Sequence, residues 1–285
     1  MTKEPELDRL SPAHDNLGTR NDLCVRLTRT EKEIITAQRL RYKVFYEELK
    51  ASPDFASSQS RLDADRFDEF CDHLIVVRGT PKSESGQFSV EDGEMVGTYR
   101  LLRQAVAEQN GGFYTQSEFD IAPLLAAKPT LKFLELGRSC VLKQYRTKPV
   151  VELLWQGIWN YVRQYGLDVK LGCASLEGTG SHVHVSTLNF LARNCAAPAE
   201  WRVRALPERY IEMNANVVSA ADSKAALKAL PPLIKGYLRL GCYIGEGAVI
   251  DRQFNTTDVL IVLPVSNINP RYFSHFGQPD EAITY

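Results

Sequence analysis

The chain has 285 residues, enough for one large domain or two small ones, and its apolar (44%) and charged (24%) fractions are ordinary for a globular protein. A formal net charge of −1 excludes the broad basic footprint of a nucleic-acid binder. No uncharged apolar run approaches the roughly 20 residues of a membrane span. The charged start has no apolar signal region, and the six scattered cysteines include no C-x-x-C pair, so the expectation is a cytoplasmic protein with reduced thiols and no zinc site.

In chain order, residues 1–22 are polar, hold Pro5, Pro12 and Gly18, and are expected to be disordered or extended. Leu23–Leu27 reads as a strand. Thr30 and Glu33 have capping-box spacing, and the helix that follows carries Arg39, Arg41 and Lys43. Residues 51–60 read as a mobile Ser-rich loop, and residues 62–70 as an acidic stretch with two aromatics, whose plainest reading is a solvated loop. His73–Val77 and Met95–Leu102 make an antiparallel pair across a turn-rich connection, and Gly111-Gly112 breaks the next segment. Further strands are expected at 168–175, 201–205, 245–254 and 257–265, and helices at 182–193, with Ser181 as cap, 222–230 and 232–240. The pattern is an α/β fold, a mixed sheet covered by helices. One domain spans 23–276, residues 221–276 forming an extension packed on it, and 277–285 are a tail.

One stretch organises the rest. Residues 131–142 form an apolar run that reads as a central strand buried on both faces, yet it holds Glu135 and Arg138. Residues 143–148 make a polar turn with Lys143, Arg146 and Lys148. Pro149 suits the first turn of a helix, apolar positions follow at helical spacing, and Gly166 stops it. A cationic turn before a helix N-terminus is an anion site in outline, and without a Walker or dinucleotide motif a single phosphate, such as that of a pantetheine arm, fits better than ATP or NAD. The alternative is a solvated charged turn.

This strand-turn-helix resembles the acyl-CoA-type N-acyltransferases of the GNAT fold, whose sheet is mixed, mostly antiparallel and twisted. Their Q/R-x-x-G-x-G/A turn is absent, its place taken by residues 143–148, which argues against an acetyl-CoA donor. The stretches 40–45, 65–68, 97–102 and 135–138 are similar to the motifs of acyl-homoserine lactone synthases. Residues 134–141, 171–175, 231–241 and 254–259 resemble the L-ornithine N-alpha-acyltransferases of ornithine-lipid synthesis more closely. That resemblance implies transfer of a 3-hydroxyacyl group from acyl carrier protein to the α-amine of L-ornithine. The carrier's phosphopantetheine is the donor arm, and no resident cofactor or metal is expected. A lactone synthase and a non-catalytic carrier-binding module are the competing readings.

Within it, Glu135 is expected to orient or deprotonate the α-amine, with an ion pair to Arg138 or Arg100 as the alternative. Arg138 and Gly137 belong to the same catalytic set, because glycine in a strand marks a bulge that can aim N–H groups at the thioester carbonyl. Arg100 and Arg138 suit the acceptor's carboxylate, and Asp65 and Asp68 its δ-ammonium. Val141, Leu142, Lys143, Arg146, Thr147 and Lys148 are expected along the donor arm. Arg39, Arg41, Lys235 and Arg239 are expected to dock the acidic carrier, with plain solvation as the alternative for each cation. Cys140 and Cys173 read as buried structural thiols, and His182-x-His184 is too sparse for a metal. Residues 231–250 read either as a peripheral contact with the inner membrane face or as a packed core helix.

Overall fold

In a computed structural model, which describes residues 16–79, 93–180, 183–214 and 220–268, ten strands join one mixed sheet. In chain order they are β1 (Asn16–Arg20), β2 (Leu23–Leu27), β3 (Asp72–Gly79), β4 (Gly93–Arg103), β5 (Phe119–Asp120), β6 (Phe133–Val141), β7 (Val169–Glu177), β8 (Arg204–Ala205), β9 (Tyr243–Asp251) and β10 (Thr256–Pro264). The helices are α1 (Glu31–Tyr42), α2 (Phe55–Ser60), α3 (Gln104–Gln109), α4 (Ala122–Ala127), α5 (Lys148–Tyr165), α6 (Val185–Asn194), α7 (Ala220–Ala229) and α8 (Pro232–Leu240). The strand order is β1-β2-β3-β4-β6-β7-β10-β9-β8-β5. Every neighbouring pair is antiparallel except β6 with β7 and β8 with β9.

The α/β architecture expected from the sequence is present, with corrections at its ends. The last strands are no appended extension: β10 sits between β7 and β9 and pairs with β7 from Thr256↔Glu177 to Pro264↔Val169. Of the segment expected to be disordered or extended, residues 16–20 are extended and pair on β2 as the edge strand. Residues 1–15, the connection at 80–92, Ser181, His182 and the tail lie outside the described residues.

Local chemistry explains the elements. Thr30 caps α1 by accepting the Glu33 N–H at 3.3 Å, but Glu33 does not return to Thr30; its carboxylate accepts from Arg29 N–H (2.7 Å) and from Arg26. The chain continues past Tyr42 as a widened π turn at Lys43–Glu48. Residues 55–60 are helical rather than loose, because Asp54 accepts the Ser57 N–H at 2.7 Å and caps the turn. Residues 201–205 reduce to a turn at Ala199–Trp201 and the two-residue β8.

Both faces of the sheet are covered. Helix α5 lays Leu153, Leu154, Ile158 and Trp159 on one face, joined by Ile234, Tyr237 and Leu240 of α8. On the other face α1 packs over Ile75, Val77 and Met95, and the aromatics Phe113, Phe119 and Phe133 pack with Leu171 and Val262. The α8 stripe weighed as a membrane contact is therefore packed core, its Tyr237 ring 5.2 Å from Trp155. Among the described residues no helix is long and apolar enough to cross a membrane.

Candidate active site

The parallel pair β6–β7 parts early. Phe133, Leu134 and Glu135 face Val169, Lys170 and Leu171, and there the pairing stops. From Leu136 on the two strands diverge and leave a narrow cleft between residues 136–139 of β6 and 170–174 of β7, closed at one side by Leu233 and Tyr237 of α8. On its other edge β6 pairs with β4, where Gly137↔Arg100 and Cys140↔Thr98 enclose one extra residue on β6. That is a bulge, and Arg138 within it takes the left-handed φ of +50°. The sequence expectation of a bulge at Gly137 thus holds one residue further on. Gly137 faces open space, with nothing within 4 Å of where a Cβ would stand. Gly172 is the reverse: a Cβ there would meet the Leu136 carbonyl oxygen at 2.3 Å, so only glycine lets β7 pass β6 at the mouth of the cleft.

The bulge aims Arg138 into an ionic network. Its Nη2 donates to Asp65 Oδ2 at 3.1 Å, its Nε lies 3.3 Å from Asp63 Oδ2, and its guanidinium stacks on Tyr114 (4.8 Å) and Phe254 (4.7 Å). Arg100 donates to Asp65 Oδ1 at 2.6 Å and reaches Asp68 Oδ1 at 3.4 Å. Arg41 donates to Asp63 Oδ2 at 2.8 Å and to both Asp68 oxygens at 2.8 and 2.7 Å. Burial alone would raise Asp68, but Arg41 and Arg100 hold it down to about 2.

Several expected roles change here. Arg41 is fully buried and no carrier can touch it; the solvated helix face belongs to Arg39. Asp65 and Asp68 are already neutralised by guanidinium groups, and Asp68 is buried, so neither is left for a δ-ammonium. Arg100 is buried in the same network, whereas Arg138 lines the cleft. Among the described residues Glu135 makes no salt bridge, to Arg138 or Arg100 or any other cation, and is held instead by backbone. Its Oε2 accepts the Tyr114 N–H at 2.9 Å and its Oε1 the Thr115 N–H at 2.7 Å. Burial pushes its carboxyl up against the pull of those donors. With both oxygens held by backbone, Glu135 anchors the 114–117 turn and is poorly placed to take a proton from an amine.

The basic turn is partly committed. Arg146 forks onto Glu48 at 2.5 and 2.9 Å, and Lys148 lies 3.5 Å from Glu152. Lys143 and Thr147 are exposed, and the N-terminus of α5 has no side-chain cap. Val141 and Leu142 turn into the core; the Leu142 N–H donates to Val96 O and the Val141 carbonyl accepts from Arg146, which leaves little for a donor arm. Lys235 ties α8 to α7 through the Lys228 carbonyl at 2.6 Å, and Arg239 is exposed.

The comparisons with known proteins bear on this geometry. Residues 40–156 match the Acetyltransferase (GNAT) domain family. The chain is 49% identical over 278 residues to an L-ornithine N(alpha)-acyltransferase of Agrobacterium fabrum, covering 96% of this chain and 93% of the relative. It is 48% identical over 267 residues to the same enzyme of Rhizobium meliloti, covering 94% and 88%. The chain belongs to the L-ornithine N(alpha)-acyltransferase family. That membership decides between the two families its motifs resemble, and the fold is that of the GNAT acyltransferases. Among solved structures, an N-acyl amino acid synthase from uncultured soil microbes aligns with a TM-score of 0.47 at 14% identity, covering 86% of this chain and 91% of its own. The stretches that carry the resemblance converge in space: 134–141 and 171–175 wall the cleft, 231–241 supplies Leu233 and Tyr237, and 254–259 supplies the Phe254 that stacks on Arg138.

Two features of the site escape sequence reading. Lys170 is buried on the cleft wall over the indole of Trp159 at 5.7 Å. The sign that could have found it is a lone cation inside the apolar run Val169–Leu171. Burial lowers it to about 8. A lysine with a depressed folded pKa gives up its proton first in the folded state, so its stability contribution is lost as pH falls from 10.5 toward 8, by roughly 3 kcal/mol in all. Lys170→Met is expected to raise the melting temperature more at pH 7 than at pH 10 by calorimetry. The second feature is a group of buried carboxylates. Glu118, Asp251 and Asp258 place one oxygen each within 4.8 Å of one another. They come from three separate segments, a proximity no local spacing reveals.

Proposed function

We propose that this protein transfers a 3-hydroxyacyl group from the phosphopantetheine thioester of acyl carrier protein to the α-amine of L-ornithine, giving a lyso-ornithine lipid. The observation that carries the reading is the bulged, splayed β6–β7 cleft in a chain nearly half identical, along almost its whole length, to an L-ornithine N(alpha)-acyltransferase.

A thioester needs no covalent enzyme intermediate for attack by an amine. It needs a free amine, a held carbonyl and donors for the oxyanion. An α-ammonium titrates near pH 8, so about a tenth is free at pH 7 without a dedicated strong base. The N–H that the bulge at Arg138 takes out of the strand ladder donates to the thioester oxygen, and one such donor is worth about 3–4 kcal/mol. Gly137, with open space where a side chain would be, admits the carbonyl beside it. Arg138 meets the acceptor's carboxylate as it exchanges one partner in its network. The pantetheine phosphate rests at the uncapped N-terminus of α5 beside Lys143 and Lys148, and Arg39 and Arg239 face the carrier. The donor is cytoplasmic, so transfer occurs in the cytoplasm, and release of an acylated product brings the protein to the inner membrane face as a peripheral visitor.

The test is an assay of purified protein with 3-hydroxyacyl carrier protein and ornithine. Ornithine-dependent thiol release is expected, with an N-acyl-ornithine mass in the product and an apparent KM for the carrier that rises with salt. Release that depends on S-adenosylmethionine instead of ornithine would sink the reading.

A further inference from the structure

The carboxylates of Glu118, Asp251 and Asp258 have no part in the chemistry above. They are 1%, 8% and 6% exposed, on the 113–118 turn, at the end of β9 and within β10. Glu118 Oε2 and Asp258 Oδ1 are buried without a hydrogen-bond partner. Among the described residues a cation, Arg209, stands against them: its Nη2 lies 3.5 Å from Glu118 Oε1, and it is otherwise held by the carbonyls of Ser117 (2.9 Å) and Ile250 (3.4 Å). Burial and then the charge of Asp258 push Glu118 up to about 7; burial, with Asp251 adding to it, pushes Asp258 up to about 6. Asp251 Oδ1 accepts from the Gln253 and Phe254 N–H groups at 2.8 and 3.0 Å, so the unmatched atoms are one oxygen each of Glu118 and Asp258, and leaving a buried carboxylate oxygen without a donor is costly. Sites that break this rule are functional ones.

The place of the group indicates its ligand. Glu118 lies against Cys173, which lines the cleft, and Asp258 is the register partner of Ser175, two residues further along β7. Cys173 is half-buried and Ser175 exposed, on the one face of the strand that leads from the cleft toward the carboxylates. Two residues along a strand span about 6.6 Å. The two nitrogens of extended ornithine are separated by five bonds, about 6 Å. An acceptor with its α-amine at the cleft therefore brings its far nitrogen to the acidic group.

We propose that Glu118, Asp251 and Asp258 form the subsite for the acceptor's side-chain ammonium, selecting a cationic amino acid over one with a neutral side chain. This inference rests on the acyl-transfer reading for the identity of the acceptor. It reassigns the role expected of Asp65 and Asp68, whose charges Arg41, Arg100 and Arg138 already balance.

The experiment compares wild type with Asp258→Asn and Glu118→Gln, using ornithine and 2-aminopentanoate, the same molecule without its δ-amine. In wild type kcat/KM for ornithine should exceed that for 2-aminopentanoate by about 10²–10⁴, because a site built for a polar group rejects the analogue that leaves it unpaired. In each variant the ratio should collapse to about tenfold or less. Ornithine should also raise the melting temperature of wild type and not of the variants, a readout that needs no turnover. The variants remove a buried charge and should melt no lower than wild type at pH 8; Asp251→Asn serves where one of them fails to fold. An unchanged ratio in folded variants overturns the subsite while leaving acyl transfer standing. A thermal shift without turnover overturns acyl transfer and leaves the subsite. A shift with calcium or manganese but not with ornithine, abolished by the same substitutions, overturns the ammonium assignment in favour of a metal.

Discussion

Arg41→Leu is expected to cost about 3–5 kcal/mol of stability, read as a lower urea midpoint at unchanged m-value, while Arg39→Ala two positions earlier stays within about 0.5 kcal/mol. The difference is burial. Arg41 is fully enclosed and donates to both Asp63 and Asp68, so its loss strands two carboxylates that water cannot reach. Asp68 shows how much rests on it, because burial would otherwise push that carboxyl up rather than leave it near 2. A combined Arg41→Met, Asp63→Asn, Asp68→Asn variant removes the charges together and should recover part of the loss, since neutral groups of similar volume need no partner charge. A destabilised protein should also lose activity, because Asp63 and Asp65 hold Arg138 at the bulge. Equal midpoints for Arg41→Leu and Arg39→Ala would contradict the network.

For Glu135→Gln the expected result is a loss of about 1–3 kcal/mol for each N–H left unsatisfied, together with at least a tenfold fall in kcat. The glutamine amide can accept from one of Tyr114 and Thr115 but turns a donor toward the other. Tyr114 is also the ring under Arg138, so slack in its turn reaches the bulge. The diagnostic is the pH profile. An anchoring residue lowers the rate at every pH and leaves the profile's shape alone, whereas loss of a general base flattens the rise toward alkaline pH. A flattened profile in a variant as stable as wild type would return Glu135 to the proton-transfer role its sequence position first indicated.

The contrast between these two residues shows how far sequence reading goes. Glu135 and Arg138 stand out as charges inside an apolar strand; Arg138 lines the cleft, and Glu135 is buried behind it, anchoring the 114–117 turn. Their partners are not legible in the sequence, because strand periodicity says which residues share a face and nothing about what comes to meet that face. Arg41 looked like its neighbours Arg39 and Lys43 until the 62–70 segment covered it. Asp65 and Asp68 looked like free acids for the same reason. Val141 and Leu142 followed the expected strand but lie past the point where β6 leaves the cleft and rejoins the core.

What the sequence determined by itself is what short-range physics controls. The capped start of α1, the Pro149 start and Gly166 stop of α5, the strands β2, β3 and β4 and the need for a bulge beside Gly137 follow from backbone preferences within a few residues. Tertiary structure alone decided which charges would be neutral and which would stay exposed to a ligand. The insertion of β10 between β7 and β9 carries Asp258 to Ser175 and Asp251 toward Glu118, residues far apart in the chain. The energy of a charge depends on the groups that surround it in space, and that neighbourhood exists only once distant strands have paired.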